Sequence, residues 1–173
     1  MENKLINPRF AVVTLMIVIA AITRFLPHPP NFTAIGSLAL FGGAMYADKR
    51  LAVIMPLAAM FISDLFIPYG FSPAVYASFV GIVIIGFMLR NKVGVKNVVL
   101  ATLASAVLFF VVSNFFVWFG GTMYPQTFEG LLLCYTAAIP FFWNMLAGTV
   151  FFNLIFFGGF YLLEKQYPAL AVR

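Results

Sequence analysis

The chain contains 173 residues, of which 64% are hydrophobic and only 9% are charged, whereas an average soluble domain has about 25% charged residues. A soluble domain of this length buries only about 70% of the surface that its unfolded chain exposes, so the excess apolar surface must face lipid. This composition excludes a cytoplasmic enzyme, a nucleic-acid-binding module and a disulfide-stabilised secreted domain. The single cysteine, Cys134, permits no internal disulfide.

Six apolar segments are predicted to cross a membrane as helices. A bilayer core about 30 Å thick needs roughly 17–25 helical residues per crossing. The segments cover residues 10–26, 32–47, 51–67, 73–89, 97–119 and 137–163. The connection between the last two is predicted to be an outer loop that contains Tyr124, Glu129 and Tyr135. The sequence therefore predicts an all-α fold, a polytopic membrane helical bundle with six transmembrane helices in one domain over residues 1–173.

The basic residues are distributed unequally between the two sides of this bundle. With the N-terminus inside, Arg24 is the only Lys or Arg on the outer side. The inner side contains Lys4, Arg9, Lys49, Arg50, Arg90, Lys92, Lys96, Lys165 and Arg173. Because cytoplasmic loops of membrane proteins contain an excess of Lys and Arg, both termini are predicted to be cytoplasmic. The pI of about 9.6 thus reflects membrane topology rather than binding to nucleic acid.

The side chains suited to binding a solute fall mostly on the outer side of the predicted bundle. Amide and ionisable groups in membrane spans are costly, and they usually face the bundle interior or a water-filled cavity. Only Asn153 falls near the middle of the membrane, while the inner loops contain mainly positive charge. This asymmetry predicts an outer binding site for an external solute. Its candidate residues are Arg24, His28, Asn31, Asp64, Asn114, Trp118, Tyr124, Tyr135 and Asn144.

Each candidate also has a structural interpretation. Arg24 and Asp64 fall at the same predicted depth, where they can neutralise each other or contact a ligand. His28 can be a solvated turn residue between prolines, and the asparagines can form hydrogen bonds between helices. The tryptophan and the tyrosines also fit an interfacial aromatic belt. Cys134 is predicted to be an inert apolar side chain, and a soft-metal or corrinoid ligand is the lesser alternative.

Several of these residues belong to a pattern that resembles a known family. Residues 24–33 read Arg-Phe-Leu-Pro-His-Pro-Pro-Asn-Phe-Thr, and residues 39–43 read Ala-Leu-Phe-Gly-Gly. The pattern continues at Ser113-Asn114-Phe115, Trp118, Tyr124-Pro125 and residues 134–144. Over most of its length the chain thus resembles an uncharacterised family of small bacterial integral membrane proteins. The resemblance implies a multi-pass protein of the bacterial cytoplasmic membrane.

More remotely, the chain is similar to the S components of energy-coupling-factor vitamin transporters. The similarity rests on the six-helix plan, the Asn31-Phe32 start of the second helix and the Leu-Phe-Gly-Gly stretch at residues 40–43. S components bind a vitamin or a metal near the outer face and topple on a module with an ATPase. The similarity implies that the outer residues line a pocket for a vitamin-like solute. S components dock through AxxxA spacing in the first helix, whereas this helix has the adjacent Ala20 and Ala21, with Ala11 far from them.

The sequence favours a membrane-embedded substrate-binding protein for uptake of a small vitamin-like solute. Its predicted partners are the lipid bilayer, a small organic solute, and either an energy-coupling ATPase module or another membrane complex. No catalytic triad, paired catalytic carboxylates, nucleotide-binding loop or four-ligand metal set occurs in the sequence, so neither an enzyme nor a cofactor is predicted. The alternatives are an accessory subunit of a larger membrane complex and, less favoured, an ion or proton channel built around Asp64.

Overall fold

The computed structural model describes residues 7–67 and 71–171, and these residues form helices joined by short connections, without a strand. The all-α prediction is confirmed for this part of the chain. The helices are α1 (Pro8–Ile22), α2 (Ile35–Met45), α3 (Lys49–Asp64), α4 (Pro73–Leu89), α5 (Val95–Gly120), α6 (Phe128–Asn153) and α7 (Gly159–Gln166). A 3-10 turn at Thr23–Phe25 extends α1, and a π-helical turn at Leu154–Gly158 joins α6 to α7. The predictions for Lys4, Arg173 and the break at 68–70 lie outside the described residues.

Within the part of the chain that the structure describes, three helical stretches are long and apolar enough to cross a membrane. They are Pro8–Phe25, Val95–Gly120 and Phe128–Gln166, while α2 and α4 are apolar but shorter. Large apolar side chains on the outer faces of the long helices are exposed, for example Leu103 on α5 and Phe151 on α6. These features indicate a membrane protein, and the number of six crossings stays a prediction.

The sixth helix begins at Phe128, well before the predicted start at residue 137. Thr127 caps it, because its hydroxyl accepts a hydrogen bond from the Gly130 amide at 3.2 Å. The run of leucines after Gly130 continues the apolar surface of the helix, and Pro140 lies inside the helix without ending it. The predicted outer loop is therefore wrong for Glu129 and Tyr135, which both lie in α6.

Helix α2 lies at the centre of the bundle. Every residue from Ser37 to Met45 is buried, and α2 contacts α1, α3, α4, α5 and α6. A helix that is apolar on all sides has no face to offer to water, so other helices must surround it. The short second segment of the sequence is thus the core around which the longer helices pack.

The backbones of α2 and α4 touch at a pair of glycines. A Cβ atom added at Gly43 would lie 2.5 Å from the Val83 carbonyl oxygen, and one added at Gly86 would lie 2.6 Å from the Leu40 carbonyl oxygen. Small residues at such positions let helix backbones approach closely in membrane proteins. The glycines of the Leu-Phe-Gly-Gly stretch therefore serve helix packing.

Two arginines bind the carbonyl oxygens at the end of α2. Arg9 donates through Nε to the Met45 carbonyl at 3.1 Å and forms a 3.0 Å ion pair with Glu164. Arg90 donates through Nε to the Gly43 carbonyl at 3.0 Å. These contacts bring the start of α1, the ends of α2 and α4, and α7 together. This end of the bundle, which contains Arg9 and Arg90, is the basic end. Cations at a helix C-terminus also interact favourably with the helix dipole.

The glycine contact predicts a large effect of one added methyl group. Gly86→Ala should lower the free energy of unfolding by about 2 kcal/mol, because backbone atoms of α2 cannot move aside. In a chain of this size that corresponds to a decrease of about 4–8 °C in Tm, measured by thermal unfolding in detergent micelles. Gly158→Ala is the matched control, since no atom lies within 4 Å of its added Cβ. Equal melting temperatures for the two variants would contradict this account of the packing.

Candidate ligand-binding site

A cavity of about 590 Å³ lies between the 3-10 turn after α1, the loop and first residues of α2, and α3, α4, α5 and α6. Its volume falls within the range of about 300–1,000 Å³ that is typical of small-molecule sites. The lining residues are Arg24, His28, Asn31, Thr33, Ile35, Gly36, Met60, Asp64, Ile67, Ser72, Val75, Phe79, Ile82, Ser105, Ala106, Phe109, Met145 and Thr149. The cavity therefore lies toward the ends of α1 and α3, opposite the basic end.

The cavity runs from the surface into the interior of the bundle. At its mouth, His28 and Asn31 belong to an exposed loop. At its deep end, Ile82 and Ser105 are each 1% exposed and Thr149 is 2% exposed. The mouth contains the ionisable groups, whereas most of the remaining lining residues are apolar and the deep end adds two hydroxyl groups. The structure thus brings four of the predicted site residues, Arg24, His28, Asn31 and Asp64, to one end of a deep pocket.

Arg24 and Asp64 form an ion pair in the cavity wall. The Arg24 Nη2 atom lies 2.6 Å from Asp64 Oδ1, and each side chain is only 12% exposed. The second carboxylate oxygen, Oδ2, accepts a hydrogen bond from the Tyr76 hydroxyl at 2.7 Å. The sequence leaves open whether Arg24 and Asp64 neutralise each other or contact a ligand. The structure shows that they pair with each other, and both side chains also line the cavity.

The other end of the Arg24 guanidinium binds the last turn of α3. Its Nη1 atom donates to the Met60 carbonyl at 3.2 Å and to the Ser63 hydroxyl. Arg24 lies in the 3-10 turn Thr23–Phe25 that follows α1, and from there its side chain reaches both the backbone of α3 and the Asp64 carboxylate. The pair and the Tyr76 hydroxyl therefore join α1, α3 and α4 around the mouth, and the two charges cancel locally.

The loop over the mouth is held in place by α6. Asn31 adopts φ of 63°, in the left-handed region that asparagine tolerates better than most residues. The Asn144 side-chain amide donates to the Pro30 carbonyl at 3.1 Å. A Cβ atom added at Gly148 would lie 3.1 Å from the Phe32 Cα atom, so α6 packs directly on the loop backbone. Asn144, predicted as a ligand-binding residue, is placed here as an anchor of the loop.

The remaining predicted site residues lie outside this cavity. They are Asn114, Trp118, Tyr124 and Tyr135. The Asn114 amide donates to a carbonyl one turn earlier in α5 at 2.8 Å. The Tyr135 hydroxyl donates to a carbonyl of α5 at 2.7 Å, and the Trp118 indole donates at 2.8 Å to a carbonyl in the connection to α6. These contacts tie α5 to α6 and its connection, and a role of these residues in binding a ligand stays a prediction.

Several cavity residues were not identified from the sequence. They are the apolar residues Met60, Val75, Phe79, Ile82, Phe109 and Met145, together with the hydroxyl residues Ser105 and Thr149. Apolar side chains in apolar helices give no signal that separates a cavity wall from a lipid-facing surface. Hydroxyl groups in helices commonly donate to the carbonyl one turn earlier, as Thr149 does at 2.8 Å. A serine or threonine in an apolar helix therefore does not by itself indicate a binding site.

Cys134 is buried in α6, where it faces α5. Its Sγ atom is 3.5 Å from the Asn114 carbonyl oxygen. Among residues 7–67 and 71–171, no group of three or more His, Cys, Asp and Glu side chains is placed to hold a metal ion. The alternative of a soft-metal or corrinoid ligand at Cys134 thus has no cluster of further ligands in the described part of the chain.

The described residues form an all-α fold with helices long enough to cross a membrane and an internal cavity of about 590 Å³. The chain belongs to DUF6580, a family of unknown function, whose model matches residues 4–170. The prediction of membership in an uncharacterised family is therefore confirmed. No curated protein and no solved structure matches the chain.

The ion pair in the cavity wall predicts strong coupling between two substitutions. Asp64→Asn or Arg24→Gln alone should lower the free energy of unfolding by about 3 kcal/mol, because each leaves an uncompensated charge in a mostly buried position. The double variant should lose less than the sum of the single effects. Tyr76→Phe is a control that removes one hydrogen bond and leaves the pair intact. The measurement is a denaturant titration in mixed micelles, and additive effects would refute the coupling.

Proposed function

We propose that this protein is a membrane-embedded, non-enzymatic substrate-binding protein for the uptake of a small vitamin-like solute. The observation that supports the proposal is the cavity of about 590 Å³, whose polar mouth lies at one end of the bundle and whose apolar wall reaches the buried centre. A pocket with a few polar groups at one end and apolar walls is the usual form of a small-molecule site. The similarity to S components of vitamin transporters, which bind their solutes near the outer face, agrees with this position.

The proposed orientation places the mouth of the cavity outside the cell. Arg9 and Arg90 hold the basic end together, and Arg24 lies at the opposite end in the cavity wall. Because cytoplasmic sides are rich in Lys and Arg, the basic end faces the cytoplasm. The protein is then a six-crossing protein of the bacterial cytoplasmic membrane, and its pocket is filled from the outside.

Release on the inner side requires a partner or an energy source. The proposal takes the partner to be an energy-coupling ATPase module or another membrane complex, since α2 is buried from Ser37 to Met45 between the cavity and the basic end. The channel alternative depends on Asp64 as a relay. Its two carboxylate oxygens are already engaged by Arg24 and Tyr76, which favours a role in the cavity wall instead.

Mass spectrometry of the purified protein tests whether the cavity holds a solute. The protein is extracted in mild detergent, and small molecules released by denaturation are compared between two variants. Val75→Trp places a large ring in the cavity wall, whereas Val99→Trp places the same ring on α5 at a residue that is 52% exposed. The wild-type protein and Val99→Trp should retain the same small molecule, and Val75→Trp should lose it.

The absence of a bound small molecule would contradict uptake. If all three proteins release no small molecule in stoichiometric amount, and no vitamin raises the wild-type Tm in a thermal-shift screen, the binding function is refuted. Recovery of a stoichiometric membrane protein without an ATPase would favour the accessory-subunit alternative, because the exposed apolar surface would then serve as an interface.

Cysteine labelling in intact cells tests the proposed orientation. In a Cys134→Ala background, Thr122→Cys lies in the exposed connection between α5 and α6, and Lys92→Cys lies in the exposed connection between α4 and α5. A membrane-impermeant maleimide should label Thr122→Cys in intact cells and Lys92→Cys only after the membrane is permeabilised. The opposite pattern would invert the topology, and labelling of both positions from outside would contradict the predicted number of crossings.

A further inference from the structure

We propose that the cavity selects an uncharged solute with an apolar body and one hydrogen-bonding group that reaches Ser105. This inference rests on the proposed binding function and specifies the chemical class of the solute. Three independent features of the cavity support it: the cancellation of charge at the mouth, the apolar middle wall, and an unpartnered hydroxyl group at the deep end.

The charged groups that line the cavity already satisfy each other. The Arg24 guanidinium lies 2.6 Å from one carboxylate oxygen of Asp64 and also donates to the Met60 carbonyl of α3. The other carboxylate oxygen of Asp64 accepts a hydrogen bond from the Tyr76 hydroxyl. Among residues 7–67 and 71–171, the only other ionisable residue that lines the cavity is His28, which lies in the exposed loop at the mouth. A charged solute that moved past the mouth would lose its hydration without gaining an opposite charge, and such burial is costly. It would otherwise have to break the ion pair that joins α1, α3 and α4.

The middle of the cavity is apolar and contains aromatic surface. The rings of Phe79 and Phe109 both line it, with centroids 5.7 Å apart and planes inclined by 44°. The thioether side chains of Met60 and Met145 line other parts of the wall. Methionine adapts to irregular apolar shapes and makes favourable contacts with rings. This part of the cavity suits a flat or branched apolar body that makes no ionic contact.

Ser105 differs from the other hydroxyl residues of the helices. Ser78, Thr102 and Thr149 each donate to the carbonyl one turn earlier, at 2.8, 2.7 and 2.8 Å. The Ser105 Oγ atom is buried and has no hydrogen-bond partner among the described residues, although the residue lines the cavity and is 1% exposed. A buried hydroxyl without a partner has lost its hydrogen bonds to water and gained none in return, which is energetically costly. A solute with one donor or acceptor at its inner end removes this cost, which is the reason to place its polar group here.

Thiol labelling with size-matched probes tests the charge selectivity without a known solute. In a Cys134→Ala background, Ser105→Cys or Met145→Cys places one thiol in the cavity, and Thr122→Cys provides an exposed reference. The probes are ethyl, ethyltrimethylammonium and ethylsulfonate methanethiosulfonates, which are neutral, cationic and anionic. After division by the rates at Thr122→Cys, the neutral probe should react faster than either charged probe by about tenfold or more, as expected from the cost of burying a charge.

Unpairing the two charges should reverse this selectivity in a defined direction. Asp64→Asn leaves the Arg24 cation without its partner, so the anionic probe should gain at least about tenfold over the cationic probe. Arg24→Gln should produce the opposite preference, and the double variant should again favour the neutral probe. Circular dichroism and gel filtration of each variant show which proteins are folded, and Met145→Cys replaces Ser105→Cys if the latter does not fold.

Two results would overturn the inference. One is equal normalised rates for charged and neutral probes, and the other is the absence of labelling at both cavity positions. The test is separable from that of the uptake function, because the probes need no natural solute. A charged molecule released from the purified wild-type protein would refute the charge selectivity and leave uptake intact. Neutral-selective labelling of a protein that binds no small molecule would support the selectivity and count against uptake.

Discussion

The burial of α2 is the constraint on which the rest of the structure depends. A helix of this length, apolar on every side, is stable only when neighbouring helices enclose it, and α1, α3, α4, α5 and α6 do so. The contact between Gly43 and Gly86 sets the distance between α2 and α4. The first residues of α2, Ile35 and Gly36, line the cavity, and the carbonyl groups of Gly43 and Met45 are bound at the basic end. The core helix therefore runs from the cavity wall to the basic end.

The two ends of the bundle use arginine in different ways. At the basic end, Arg9 and Arg90 bind the last carbonyl groups of α2, which would otherwise be buried without donors. At the other end, Arg24 binds the last turn of α3 and is neutralised by Asp64. The first arrangement fixes the core helix, whereas the second fixes the rim of a pocket. Guanidinium groups thus bind helix carbonyl groups at both ends, around the buried core helix at one end and around the mouth of the cavity at the other.

The sequence predicts the helical class, the side of the polar residues and the closeness of Arg24 and Asp64, because few charged residues are tolerated in apolar helices and they need partners. It does not predict the start of α6, since Thr127 stands between Pro125-Gln126 and Glu129-Gly130 and so looks like a loop threonine. Nor does the sequence distinguish the polar residues that line the cavity from the polar residues that form contacts between α5 and α6. Tyr135 and Asn31 fall at similar predicted depths, and only the packing of the helices shows that the cavity contains Asn31 and excludes Tyr135.

The attachment of the mouth loop to α6 has a kinetic consequence. The loop connects α1 to α2, but the Asn144 amide and the backbone contact at Gly148 fasten it to a third element. Under the proposed function, a solute that passes this loop displaces a segment that is fastened to α6, so Asn144 affects how fast the solute exchanges. The residues of the deeper wall then affect how tightly it binds.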